Sequence, residues 1–235
     1  MLAGASGVGK THTAELLAAE QHVDLYKVDL SAIVSKYVGE SERNLRKLFD
    51  AAEGASALLF LDEGDGLFGR RGTINHGQDR WANLEVNYLL QRLEEHPGVV
   101  LTATNLKQNI DEAFLRRIHV VIDYPFPDAA CRFELWKRLL PTAFKAVSDE
   151  NLRAVAERFP LAGGSIRNIV MDALARALAA SASGVALRDL VAGVAREYQK
   201  TNKPLSRGEF GAEFYEWVRD DILEPAHSGR PPGPA

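Results

Sequence analysis

The sequence predicts an α/β fold, in which a parallel β-sheet with flanking helices is followed by a small all-helical domain. Up to Tyr124, short apolar runs typical of buried strands alternate with helical patterns, which favours a parallel sheet covered by helices. After the proline-containing segment Tyr124–Asp128 the patterns are helical only. We therefore expect a sheet-containing core over residues 1–124, a helical domain over 125–199, a helical extension over 200–224 and a disordered tail over 225–235.

The strands are predicted from short runs of apolar and β-branched residues, at Met1–Ala3, Leu25–Asp29, Leu58–Asp62, Val99–Thr104 and Val120–Asp123. The helices are predicted from apolar residues three or four apart, at Thr11–Glu20, Glu42–Glu53, Trp81–Glu94, Ala129–Leu140, Asp149–Phe159, Ser165–Ala182, Ala186–Tyr198 and Phe210–Leu223. The glycine-rich, charged segment Gly64–Gly77 predicts a mobile surface loop. Only Met1–Ala3 precede the first loop, so either this strand is short or the chain is a fragment.

The first loop has the phosphate-binding pattern of a glycine, four residues and then Gly-Lys-Thr. Its glycines permit backbone angles that a Cβ disfavours, so that amide N–H groups can converge on anionic oxygens. Lys10 is placed to reach the β- and γ-phosphates, and the Thr11 hydroxyl to ligate Mg²⁺. The predicted nucleotide-binding residues here are Gly4, Ala5, Ser6, Gly7, Val8, Gly9, Lys10 and Thr11.

A pair of acidic residues, Asp62 and Glu63, follows the most apolar of the predicted strands. The carboxyl ends of parallel strands are where open α/β sheets present ligand-binding groups. We expect Asp62 to hold Mg²⁺, either directly or through water, and Glu63 to orient and deprotonate an attacking water.

Composition restricts the other function classes. The chain has 235 residues, of which 46% are apolar, enough for one large core and a small second domain. Its net charge is −4 with acids and bases intermixed, so no basic surface indicates nucleic acid. The one cysteine, Cys131, fits a reducing compartment, and the sequence contains neither an apolar run of membrane-spanning length nor a signal peptide. We therefore expect a cytoplasmic protein without a membrane partner.

Together these motifs resemble the AAA+ ATPases, and within them the AAA clade of protein-remodelling enzymes. The resemblance covers about Met1 to Tyr198. Asp62–Arg71 is similar to the Walker B segment of that clade and its extension, with Gly64 and Gly66 where alanine is usual. The resemblance implies a P-loop NTPase sheet followed by a helical lid, with ATP and Mg²⁺ as cofactors. The preference for adenine over guanine stays open, because the family's adenine-contacting segment precedes the phosphate loop.

Three further segments resemble family elements that surround the nucleotide. Thr102–Asn105 is similar to the end of the sensor 1 strand, which implies that Asn105 lies between the γ-phosphate and the attacking water. Asp111–Arg117 is similar to the arginine-finger segment, which implies that Arg116 and Arg117, not distinguished from each other, complete a neighbouring subunit's site. Gly163–Asn168 resembles the sensor 2 region. Arg167 would then touch phosphate in the same subunit, or else be an ordinary surface arginine.

A fourth segment, Ser35–Glu42, resembles pore loop 1 of the family. The substrate-gripping residues would be Lys36, Tyr37, Val38 and Gly39, with the tyrosine ring as a rigid contact surface for an extended polypeptide. The alternative is that Tyr37 packs beneath the following helix. The segments Asp79–Tyr88 and Glu197–Lys200 resemble bacterial AAA proteins encoded beside phage-like contractile injection systems, which implies a sheath or other protein component as the substrate.

The resemblance therefore implies an ATPase that remodels, unfolds or disassembles proteins as a homo-oligomer, a hexameric ring. One alternative is an AAA+ motor that acts on DNA, which the absence of a basic stripe disfavours. Another is a truncated ATP-binding domain without activity.

Overall fold

The structure, a computed structural model, describes residues 1–30, 40–64, 77–105 and 110–223. The chain divides into two compact units, Met1–Phe126 and Pro127–Ala235. Several predictions lie outside the described residues and stay predictions: the pore-loop residues Lys36, Tyr37, Val38 and Gly39, positions 65–76 of the surface loop and Walker B extension, and the tail over 225–235.

The first unit contains the predicted parallel sheet. Its strands are β1 (Leu2–Gly4), β2 (Leu25–Asp29), β3 (Leu58–Asp62), β4 (Val100–Thr104) and β5 (Ile122–Tyr124). They form one five-stranded sheet in the order β2-β3-β4-β1-β5, and every neighbouring pair is parallel. The short strand β1 therefore lies inside the sheet. β1 and β5 each end one residue later than predicted, because Gly4 pairs with Tyr124.

Helices cover both faces of this sheet. They are α1 (Lys10–Gln21), α2 (Glu40–Gly54), α3 (Gly77–Glu95) and the short α4 (Glu112–Leu115). Successive side chains of a strand point to opposite faces. Accordingly, Leu58 and Phe60 of β3 belong to the core cluster that contains α1 residues, whereas Leu59 and Leu61 belong to the cluster that contains α2 and α3 residues. This burial on both faces explains the unbroken apolar run of β3.

The second unit is helical. Its elements are α5 (Ala129–Leu139), a 3₁₀ turn (Thr142–Phe144), α6 (Asp149–Arg158), α7 (Gly163–Ala179), α8 (Leu187–Lys200), α9 (Arg207–Val218) and a π-helical turn (Arg219–Leu223). Asp128 caps α5, since its carboxylate accepts a hydrogen bond from the Cys131 amide at 2.8 Å. The core of this unit is built around Trp136, Phe159, Tyr198 and Phe210, all fully buried.

Two helices of this unit begin before their predicted first residues, and the bounds of the other three differ from the prediction by at most two residues. α7 begins at Gly163, two residues before the predicted Ser165, since its first turn tolerates glycine when the following apolar face is buried. α9 begins before the predicted Phe210 and is kinked at Gly211, where φ is 76°. The guanidinium of Arg158 packs against this glycine and donates to the carbonyls of Gly208 and Glu209, both at 2.9 Å.

Within the described residues, every helix is too short or too polar to cross a lipid bilayer.

Candidate active site

Three neighbouring strands of the sheet end at the predicted catalytic groups. The phosphate loop follows β1, Asp62 ends β3 and Asn105 follows β4. These strands are adjacent in the order β3-β4-β1 and run parallel, so their carboxyl ends meet at one edge of the sheet. The structure thus brings together groups that are up to 101 residues apart in the chain, as between Gly4 and Asn105.

Lys10 is the centre of this arrangement. It is the first residue of α1, and only 8% of its surface is exposed. Its Nζ donates to the carbonyl oxygens of Gly4 at 2.6 Å and Ala5 at 2.9 Å, and to Asn105 Oδ1 at 2.7 Å. The ammonium group therefore joins the start of the phosphate loop to the end of β4.

The loop conformation depends on its glycines in two different ways. Gly9 has φ 108°, a left-handed conformation that glycine adopts without the usual steric cost, and it directly precedes α1. The N–H groups in the first turn of α1 thus face the loop, where they can bind an anion. Gly4 is needed for space, since a Cβ there would lie 2.5 Å from the carbonyl oxygen of Tyr124.

Asp62 connects the loop to the predicted base. Its Oδ2 accepts a hydrogen bond from the Thr11 hydroxyl at 3.4 Å, and its Oδ1 accepts one from the Glu63 amide at 3.0 Å. Glu63 is exposed and has φ 53°, a left-handed conformation that costs a non-glycine residue about 1–2 kcal/mol. Such strain is typical of functional positions.

The pair formed by Thr11 and Asp62 fits a magnesium ion. Both offer hard oxygen ligands on neighbouring elements, and Mg²⁺ usually takes one or two protein ligands and completes its shell with phosphate oxygens and water. Among the described residues there is no group of three or more His, Cys, Asp and Glu side chains arranged to hold a metal ion by themselves. A magnesium site here therefore depends on a phosphate ligand.

The two candidate finger residues differ in their surroundings. The Arg116 side chain is 79% exposed. Among the described ion pairs its one partner is the exposed Glu112, four residues earlier, at 3.4 Å. Arg117 is 34% exposed, forms an ion pair with Glu94 of α3 at 2.6 Å and donates to the Ala113 carbonyl at 2.8 Å. Arg117 therefore ties α4 to α3, whereas Arg116 extends into solvent.

Comparison with known proteins then assigns the family. The model of the ATPase family associated with various cellular activities (AAA) matches residues 1–126. The chain belongs to the AAA family. This assignment confirms the predicted fold class and the prediction of an ATP-hydrolysing enzyme.

Similar relatives include the A-like 1 form of the katanin p60 ATPase-containing subunit in Oryctolagus cuniculus, 33% identical over 221 residues, which cover 89% of this chain and 44% of the relative. The Danio rerio protein of the same name is 34% identical over 201 residues, 81% of this chain and 41% of the relative. The ATPase family gene 2 protein of Schizosaccharomyces pombe is 31% identical over 183 residues, 76% of this chain and 23% of the relative. The chain thus spans less than half the length of these relatives.

Two other residues of this AAA chain contact the loop and were not predicted. The Tyr124 hydroxyl donates to Thr13 Oγ1 at 2.7 Å, and Thr13 Oγ1 donates to the Gly9 carbonyl at 3.2 Å. Tyr124 ends a parallel strand, which was the available signal, since that edge of the sheet holds the site. Arg167 lies in the second unit, exposed in α7, and its predicted role stays a prediction.

Proposed function

We propose that this chain is a magnesium-dependent ATPase of a ring-forming AAA protein that remodels protein substrates. The observation that carries the proposal is the position of Lys10, whose ammonium contacts both the phosphate loop and Asn105. One cation thereby reaches the phosphate cradle and the amide predicted to hold the attacking water.

Binding of the triphosphate is assigned to the loop from Gly4 to Thr11. Its amides and the first turn of α1 would hold the β-phosphate, and the Lys10 ammonium would balance charge on the β- and γ-phosphates. Thr11 and Asp62 would hold Mg²⁺, which when bound neutralises charge on the phosphate oxygens. The buried stem of Lys10 keeps its ammonium inside the loop, which supports this role.

Hydrolysis is assigned to Glu63 and Asn105. Glu63 would take a proton from water as the water oxygen bonds to the γ-phosphorus and the bond from that phosphorus to the β–γ bridging oxygen breaks. The Asn105 amide would orient the same water, because an amide both donates and accepts hydrogen bonds. The hydrogen bond from the Glu63 amide to Asp62 fixes the backbone next to the metal-binding group, which supports placing the base beside it.

The finger in the neighbouring subunit is assigned to Arg116. Its exposure leaves the guanidinium available to a second copy of the chain, and an exposed pair such as Arg116–Glu112 holds it only weakly. Arg117 is assigned a positioning role through its ion pair with Glu94. AAA family members form oligomeric rings, which supports a site completed between subunits.

The substrate of the proposed ATPase is a protein. Tyr37 and its neighbours would grip an extended polypeptide, and Arg167 would contact phosphate in the same subunit. The relatives named for katanin p60 support a protein substrate in general terms. We further propose that the substrate is a sheath or other component of a contractile injection system, on the basis of the sequence resemblance. We also propose that the protein is cytoplasmic.

The test uses subunit mixing. Glu63→Gln should bind MgATP and lose at least about a hundredfold in turnover through loss of the base. Glu20→Gln, the same change at an exposed position of α1, is the matched control and should keep full turnover. Arg116→Ala should also be inactive alone, yet a mixture of Arg116→Ala with Glu63→Gln should regain turnover, since some interfaces then combine an intact base with an intact finger.

The control mixture combines Lys10→Ala with Glu63→Gln. Both groups belong to the same subunit's site, so no interface in that mixture is complete and no turnover should return. Full activity of Glu63→Gln would remove the base assignment. Absence of recovery with Arg116→Ala at every mixing ratio would remove the finger assignment.

A further inference from the structure

Tyr124, the last residue of β5, contacts the first glycine of the phosphate loop directly and the last one through Thr13. In the pairing of β1 with β5 its partner is Gly4, the first loop glycine. A Cβ on Gly4 would lie 2.5 Å from the Tyr124 carbonyl oxygen and 2.8 Å from its Cβ, so the two strands approach this closely only with glycine. The Tyr124 ring packs against the core cluster that contains Ala14 of α1. This packing directs the ring toward α1.

The Tyr124 hydroxyl is connected to the last loop glycine through Thr13. Tyr124 Oη donates to Thr13 Oγ1 at 2.7 Å, and Thr13 Oγ1 donates to the Gly9 carbonyl at 3.2 Å. The direction of this chain is fixed, because a carbonyl only accepts and Thr13 has a single hydroxyl proton. The Gly9 carbonyl also accepts the Thr13 amide at 3.0 Å. Both donors thus come from Thr13: α1 itself orients the amide, and Tyr124 orients the side-chain hydroxyl.

The orientation of the Gly9 carbonyl determines where the Lys10 amide points. In a planar trans peptide the C=O and the following N–H point in opposite directions. Since the carbonyl is directed along α1 to Thr13, the Lys10 N–H is directed out of the helix, toward the loop. Glycine has no Cβ to restrict its backbone angles. The orientation of the peptide between Gly9 and Lys10 therefore depends on these hydrogen bonds.

We propose that Tyr124 is a positioning residue for phosphate binding: its hydroxyl, through Thr13, holds the peptide between Gly9 and Lys10 so that the Lys10 amide can donate to a phosphate of the nucleotide. This rests on the proposed use of the loop as the nucleotide site. The phosphate contact exists before and during the reaction, so its loss weakens binding without slowing the chemical step.

The test is Tyr124→Phe, which removes one oxygen atom and keeps the ring. In the full chain, the KM for MgATP and the Kd for MgADP measured by calorimetry should rise about two- to tenfold, the effect of one ordinary hydrogen bond, while kcat stays within about twofold. Tyr88→Phe is the matched control: the Tyr88 hydroxyl accepts from Arg46 Nε at 3.3 Å, away from the loop, and its loss should change neither constant.

Thr13 supplies the second arm. Thr13→Val should weaken MgADP binding, whereas Thr13→Ser, which keeps the hydroxyl, should not. Because Tyr124 acts through Thr13, the double variant Tyr124→Phe/Thr13→Val should bind MgADP no more weakly than Thr13→Val alone. Wild-type affinity in Tyr124→Phe, or additive losses in the double variant, would overturn the proposal and leave the nucleotide site in place. Absence of nucleotide binding by the wild-type protein would overturn both. If Tyr124→Phe unfolds at the assay temperature, the Thr13 variants still test the proposal: equal MgADP affinities of Thr13→Val and Thr13→Ser would overturn it.

Discussion

Replacing Gly4 with alanine tests how closely β1 and β5 approach. The new Cβ would lie 2.5 Å from the Tyr124 carbonyl oxygen, 2.8 Å from its Cβ and 3.3 Å from its carbonyl carbon. These atoms belong to a paired strand, so none of them is the end of a flexible side chain that can move aside. The two strands must therefore separate or tilt at the base of the phosphate loop.

The expected cost follows from this overlap. Overpacking of a rigid site typically costs about 1–3 kcal/mol, so Gly4→Ala should lower the free energy of unfolding by that amount. Gly54→Ala is the matched control, because Gly54 ends α2 and a Cβ there would meet no described atom within 4 Å. That change should stabilise the protein by about 0.4–1 kcal/mol, through the reduced entropy of the unfolded chain and a better helix former.

Thermal unfolding followed by far-ultraviolet circular dichroism separates the two variants. At about 2–4 °C per kcal/mol for a chain of this size, their melting temperatures should differ by roughly 3–15 °C, with Gly4→Ala the lower. A Gly4→Ala protein that melts at or above the wild-type temperature would show that β1 and β5 are not in such close contact.

Two further predictions concern other residues. The Asp172 carboxylate accepts hydrogen bonds from Arg176 at 3.1 Å and Arg196 at 2.5 Å; partial burial acts to raise its pKa, but these bonds hold the pKa below its ordinary value. Because the folded pKa is depressed, Asp172→Asn should lower the free energy of unfolding by about 0.5–1 kcal/mol at neutral pH, after allowance for solvent exposure. This difference from the wild type should vanish as the pH falls from about 4 through the folded pKa, which thermal melts in a pH series can check. Glu63→Gly should abolish ATP hydrolysis yet raise the unfolding free energy, measured by urea titration. Relief of the about 1–2 kcal/mol of strain at φ 53°, less the entropic cost of a glycine, leaves a gain of about 0.5–1 kcal/mol. A less stable variant would contradict the assigned strain.

Local patterns were sufficient to predict the centre of the fold. β2 and β3 begin and end at the predicted residues, because β3 is an uninterrupted apolar run that stops at an acid and β2 pairs with it along its whole length. The same reasoning placed the edge strand β5 too early, at Val120. Val120 and Ile122 are both exposed, so apolar character did not indicate which residues pair with β1.

Contacts between distant residues were not predictable from single motifs. From the sequence, Arg116 and Arg117 are equally good candidates for the arginine finger. They differ in the structure because Glu94 on α3 forms an ion pair with Arg117, whereas Arg116 pairs with the exposed Glu112. Likewise, the hydrogen bond of Tyr124 to Thr13 spans 111 residues and requires the strand order, which brings β5 next to β1. The residue types were informative, but their partners depended on tertiary packing.

The kinked helix α9 has a consequence for how the chain can be shortened or extended. Phe210 lies 5.1 Å from Phe159 and 5.5 Å from Tyr198 between ring centroids, so α9 closes the aromatic centre of the second unit. A protein ending at Lys200 would present those rings to water and invite aggregation. Tags and fusions therefore belong after Leu223, because Ile222 in the preceding turn still packs against this core.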